Sequence, residues 1–166
     1  IVVANLVGAI IAIALSSVGI PEPSVFQPDL WWVNFLALPL YVAGAFVIGI
    51  GWGTIVVVRD LRWAIRDRPP TERDARRARR APWRLVSIQA ILWIGAVIFF
   101  TLCFGIPHPE LIPKTIFVVG LSGVVVVAIS YLLIEFSLRP VAAELISAGY
   151  RRRKRSGVRS LSLIHI

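Results

Sequence analysis

Residues 73–104 read RDARRARRAPWR and then LVSIQAILWIGAVIFFTLCF, six arginines within twelve positions followed by twenty positions without a charge. An apolar run of about 20 residues is what a helix needs to cross the ~30 Å hydrocarbon core of a bilayer. The arginine-rich half cannot enter that core. A junction this abrupt marks a helix emerging from a membrane at its charged face.

The same alternation organises the rest of the chain. Ten arginines fall between Arg59 and Arg84, seven Lys or Arg between Arg139 and Arg159, and Lys114 is the only other cation. Three more apolar stretches, 1–18, 30–58 and 115–136, join 85–104 as predicted transmembrane helices. Hydrophobic residues make up 57% of the 166, and the mean hydropathy of +0.79 is more than a soluble domain of this size can hide. The fold class expected is all-α, a polytopic transmembrane bundle of two helical hairpins.

The connections opposite the basic blocks carry Glu22, Asp29, Glu110 and several prolines. By the positive-inside rule, the basic loop 59–84, the connection 137–166 and both chain ends are expected in the cytoplasm, which makes this an integral plasma-membrane protein. Two turns share a pattern, Gly19-Ile20-Pro21-Glu22-Pro23 and Gly105-Ile106-Pro107-His108-Pro109, as a parallel repeat of one hairpin would. Pro39 is expected to kink the long second helix, and Trp31 and Trp32 to anchor its outer end. Thr71, followed by Glu72 and Asp74, is expected to cap a short basic helix after two prolines.

Candidate sites are few. Ala45, Gly49 and Gly53 form a small-xxx-small ridge, a packing seam between neighbouring helices of one chain or between two protomers, with Gly120 and Gly123 as its expected opposing surface. Glu135 is the only charged residue inside the four runs, and four residues on it meets Arg139, an expected ion pair or signalling element. Arg76, Arg77, Arg79 and Arg80, with Arg151, Arg152, Arg153, Lys154 and Arg155, are expected to lie on anionic lipid headgroups or to face a docked output domain. A net charge of +9 would allow nucleic acid as a partner, but the cations abut membrane-length runs, so none is expected. His108 and His165 have no acid or cysteine cluster beside them in sequence, and no nucleophile–base pair or phosphate-binding glycine loop occurs. No catalytic residue, cofactor or metal site is expected here. With such short outer loops, any ligand is expected to be a lipid or small apolar molecule held between helices.

Tyr131-Leu132-Leu133-Ile134-Glu135 running into Leu138-Arg139-Pro140-Val141-Ala142-Ala143 resembles the segment leaving the fourth membrane helix of multi-pass class III adenylate cyclases of actinobacterial type. Arg68-Pro69-Pro70-Thr71 and Gln89-Ala90-Ile91-Leu92-Trp93 are similar to that family as well. The resemblance implies six membrane helices, a HAMP linker and a cytoplasmic cyclase domain that works as a homodimer with two Mg or Mn ions, making cyclic AMP from ATP. Its first four helices would be present here, as anchor and sensory region of a missing catalytic domain. Arg-Pro after a membrane helix also opens the HAMP linkers of histidine kinases, so a sensor kinase is the alternative, and a small transporter or structural membrane protein a third. The start on Ile1 and the ending 162–166, which resembles adaptor read-through, read as cut ends of a longer chain.

Overall fold

The computed structural model describes residues 2–66 and 68–149, and among them it contains helices and turns only. The cations from Arg151 to Arg155 and the segment 162–166 lie outside the described residues. Helix α1 (Val2–Ala14) widens into a π-helical turn at Leu15–Gly19. After a short 3-10 turn at Pro28–Leu30 the chain enters the second span, whose main helix is α2 (Leu38–Asp60). Then come the single-turn α3 (Arg62–Ile65), α4 (Glu72–Gly105), α5 (Ile112–Ser137) and α6 (Arg139–Ser147). Four of these segments, Val2–Gly19, Pro28–Asp60, Glu72–Gly105 and Pro109–Ser137, are long and apolar enough to cross a membrane. The predicted all-α transmembrane class is therefore the observed one.

Local chemistry explains the departures from regular helix. Pro39 has no N–H to donate, and its ring crowds the carbonyl four residues back. The chain answers with a π-helical turn at Val33–Ala37, directly before α2. Asn34 steadies that turn by donating to the carbonyls of Val25 and Leu30 at 2.9 and 3.2 Å.

The third span departs most from expectation. A helix was predicted to begin at Leu85, after a basic loop; instead α4 begins at Glu72 and runs unbroken to Gly105, through Pro82. The expected short basic helix and the expected third span are one rod. Thr71 closes a capping box: its hydroxyl accepts from the Asp74 N–H at 3.3 Å, and the Asp74 carboxylate accepts from the Thr71 N–H at 3.1 Å. Arg68 reaches the same carboxylate at 3.1 Å. Charge ends the apolar run at Leu85, whereas alanine and arginine, both good helix formers, carry the helix past it.

Helix α4 is the centre of the arrangement, packed along α5 on one side and α2 on the other, while α1 rests on α5. The order α1, α5, α4, α2 forms an open arc. One apolar cluster joins the start of the second span to the far end of α4, through Val33, Ala37, Ala96, Phe100 and Phe104. A second lies midway, with Val56, Leu85, Ile88 and Ile134. A third sits at the basic end, where Trp63, Ala75, Ala78 and Leu145 bring together α3, the first turns of α4, and α6.

The small ridge on α2 faces α4. A Cβ added at Gly49 would lie 3.2 Å from the Leu92 side chain, and one at Gly53 would lie 3.8 Å from Leu85, while Ala45 is half-buried above them. The seam is intrachain. Gly120 and Gly123 do not oppose it. Gly123 is covered by Trp93, 3.0 Å from an added Cβ, and Gly120 has open space there, because α4 stands between α2 and α5.

Candidate functional site

Because α1 packs on α5 and α2 on α4, a lateral cleft of about 670 Å³ remains between α1 and α2. Its α1 wall is one helical face, Val2, Asn5, Leu6, Ala9, Ala12, Ile13 and Ser16; Tyr41, Ala45 and Gly49 face it from α2, with Trp93 and Ala96 of α4 and Val118 of α5 as the floor. Its volume falls within the range of about 300–1,000 Å³ typical of small-molecule sites.

The floor carries a polar knot. The Asn5 side-chain oxygen accepts from Gln89 Nε2 at 2.7 Å and from the Trp93 indole N–H at 3.1 Å. These bonds span 84 and 88 residues of sequence. Interhelical hydrogen bonds in membranes contribute about 0.6 kcal/mol on average, so the knot sets orientation more than it supplies stability. Tyr41 donates to the Leu92 carbonyl at 2.6 Å and stacks on Phe99, which closes the α2 side.

At the proline-loop end, Lys114 is 5% exposed, and its ammonium donates to the carbonyls of Ser16, Pro21 and Pro23 at 3.2, 3.0 and 2.8 Å. It ties the start of α5 to the end of α1, where helix carbonyls carry partial negative charge. Beside it, the Thr115 hydroxyl is buried with no hydrogen-bond partner among the described residues. Leaving such a group unmatched costs about 1–3 kcal/mol.

The two proline loops are also joined through His108. Its Nε2 lies 2.7 Å from Asp29 and its Nδ1 2.9 Å from Glu110. Glu110 is two residues away in sequence, and the fold supplies Asp29 from 79 residues away. They occupy opposite ring nitrogens and do not converge; among the described residues no group of three or more His, Cys, Asp or Glu is placed to hold a metal. The hydrogen bond to Asp29 first, and that to Glu110 second, raise the His108 pKa above the ordinary value. A histidine whose folded pKa is raised contributes stability fully present below its unfolded pKa, about 6.5, and lost as pH rises through the folded value. An NMR titration of the imidazole should therefore give a midpoint above that of an exposed histidine, with the tie loosening on the alkaline side. Asp29→Asn should move the midpoint down.

At the basic end, Asp60 has a side chain with 0% exposure, and one Arg84 nitrogen reaches its two carboxylate oxygens at 2.6 and 2.9 Å; Arg59 adds a contact at 3.3 Å. This pair clamps the end of α2 to α4. Arg76, Arg77, Arg79 and Arg80 project from the exposed face of α4 while Ala75 and Ala78 face inward. The expected Glu135–Arg139 ion pair does not form. Helix α5 ends at Ser137 and α6 starts at Arg139, so the phase that would align the two residues is broken at Leu138. The Arg139 guanidinium lies 5.1 Å from the centroid of the Phe136 ring instead, and Glu135 is exposed.

Sequence reading missed Asn5, Gln89, Asp60, Arg84 and the Asp29 partner of His108, all joined across long separations, and also Glu110, two residues from His108. Gly8 was missed as well, although Ala4, Gly8 and Ala12 repeat the small-xxx-small spacing on α1.

Curated relatives match this chain over part of their own length. Uncharacterized protein Rv1320c of Mycobacterium tuberculosis is 38% identical over 149 residues, covering 90% of this chain and 26% of that protein. Uncharacterized protein Rv1319c of the same organism is 37% identical over 156 residues, 93% of this chain and 29% of that protein. No family model matches the chain, and no solved structure matches it. The chain is thus similar, over nearly its whole length, to only about a quarter of the length of these mycobacterial relatives.

Proposed function

We propose that these helices are the membrane anchor and regulatory region of a longer membrane-bound adenylate cyclase. The resemblance at 131–143 supplies the output: a cytoplasmic class III domain, dimeric and dependent on two divalent metal ions, converting ATP to cyclic AMP and pyrophosphate. The basic end faces the cytoplasm in this reading, with Arg76, Arg77, Arg79 and Arg80 against anionic headgroups at about 1 kcal/mol per cation.

The observation that carries the regulatory role is the unbroken α4. It runs from the cleft floor at Trp93 and Ala96 to the basic end, where Ala75 and Ala78 pack with Trp63 and with Leu145 of α6. Helix α6 leads onward toward the rest of the polypeptide. A small shift of α4 against α2 or α5 therefore reaches α6 through packed side chains, the kind of movement that packed helices pass on as discrete steps.

The test is the longer polypeptide, expressed from its full coding sequence in a bacterial host lacking its own cyclase, with cyclic AMP measured in membranes supplied with ATP and Mg or Mn. Accumulation of cyclic AMP is the expected result. A coding sequence that specifies no nucleotide-cyclase domain, or a folded full-length product that makes no cyclic AMP, would remove this reading.

A further inference from the structure

We propose that the cleft between α1 and α2 binds a single-chain anionic amphiphile, a fatty acid or lysophospholipid, with its charged head beside Lys114 and Thr115 and its chain lying along α1. This site stands on the membrane helices themselves and does not depend on the cyclase reading.

Shape comes first. The α1 wall runs from Val2 to Ser16, about 21 Å at ~1.5 Å per residue, some two thirds of a ~30 Å hydrocarbon core. The 670 Å³ of the cleft lies within the range of about 300–1,000 Å³ of small-molecule sites. One acyl chain suits a cleft of this length and volume.

Chemistry selects the head. The walls are aliphatic and aromatic for most of their length, and among the described residues Lys114 is the single charged one lining the cleft. Its contacts are three neutral carbonyls, and no carboxylate comes within ion-pair distance of it among the described residues; Glu22 acts on it only from further off. The positive charge at this end is offset by no contacting acid. Thr115, in the adjacent wall and 4% exposed, holds a hydroxyl with no partner among the described residues. An anionic head placed there supplies the missing charge and accepts from that hydroxyl, a charge-assisted bond in a low-dielectric setting. At the opposite end Asn5 is already engaged with Gln89 and Trp93, so that end offers the chain terminus an enclosed floor rather than a competing head-group site.

The 166-residue chain in nanodiscs of zwitterionic phosphatidylcholine is the material for the test. The probes are a sixteen-carbon fatty acid with a diazirine near the chain end, the alcohol of the same length, and a lysophosphatidylglycerol competitor. The acid should crosslink to cleft residues such as Leu6, Ala9 and Trp93, and bind about tenfold more tightly than the alcohol, the ratio expected from one charge-assisted contact. Lys114→Gln should reduce the acid to the level of the alcohol. Ala9→Phe, at an exposed position of α1 that projects into the cleft, should abolish binding of both probes without disturbing α1 on α5. Competition by the lysolipid identifies a phosphate head as acceptable, and its failure restricts the site to carboxylates. Crosslinks spread evenly over outward positions such as Val124 and Leu132, or binding unchanged by Ala9→Phe, would overturn the proposal. So would crosslinks between two copies of the chain through the cleft, which would make a second protomer the occupant.

Discussion

Arg84→Ala should lower the thermal midpoint of the detergent-solubilised chain by roughly 6–10 °C, equivalent to about 3 kcal/mol at this size. Removing one partner of a buried ion pair costs about 3–5 kcal/mol, because the surviving charge stays in a medium that solvates it poorly. The survivor here is Asp60, whose side chain has no exposure, so the penalty falls on a group that cannot turn to water. Two features hold the loss near the lower bound: Arg59 remains at 3.3 Å, and the Arg84 side chain is already 38% exposed. The reverse change is expected to be milder. Asp60→Asn leaves a partly solvated guanidinium that can hydrate, and it keeps the side-chain volume. A double-mutant cycle between these positions should therefore show strong coupling, with the double variant more stable than Arg84→Ala alone. Additive effects would mean that the pair is not the clamp described.

Gly8→Leu should detach α1. A Cβ at Gly8 would collide with the Val126 side chain and lie 3.2 Å from the Trp93 ring. Val126 is fully buried and short, and Trp93 is held by its bond to Asn5, so neither can yield cheaply. Overpacking of this kind costs about 1–3 kcal/mol, and more where the backbone must move. Since α5 is the principal neighbour of α1, the strain is relieved by helix separation rather than by repacking. The expected readouts are a lowered thermal midpoint and a shifted Trp93 indole N–H resonance, matching that of an Asn5→Leu variant. Gly51→Ala is the control: nothing lies within 4 Å of an added Cβ, and the change should be neutral or stabilising by up to about 1 kcal/mol. Loss of fold on Gly51→Ala together with tolerance at Gly8 would contradict the packing.

What the sequence disclosed and what it withheld follow from range. Span number, the helical state of Leu85 to Phe104 and the Thr71 cap all depend on neighbours within a few positions, and all appear in the structure. The beginning of α4 at Glu72 was obscured because charge marks the end of the apolar run, not the end of the helix. The Glu135–Arg139 pairing failed for the opposite reason: spacing of four is meaningful only while one helix continues, and Leu138 interrupts it. Asn5 with Gln89, Asp29 with His108, and Asp60 with Arg84 join residues whose proximity only the arc of helices creates. Lys114 stood out as an isolated cation, yet nothing local indicated that three loop carbonyls would surround it. The cleft was the least legible feature, since it is defined by where α1 and α2 do not meet.

The central claim is a four-span membrane domain with its basic end in the cytoplasm, and site-specific labelling in intact cells tests it most directly. In a Cys103→Ala background, Glu22→Cys in the first proline loop and Arg76→Cys on the exposed face of α4 are each treated with a membrane-impermeant maleimide. The account predicts labelling of the Glu22 site in intact cells and of the Arg76 site only after the membrane is opened. Labelling of the Arg76 site in intact cells, or of both sites equally, would contradict it.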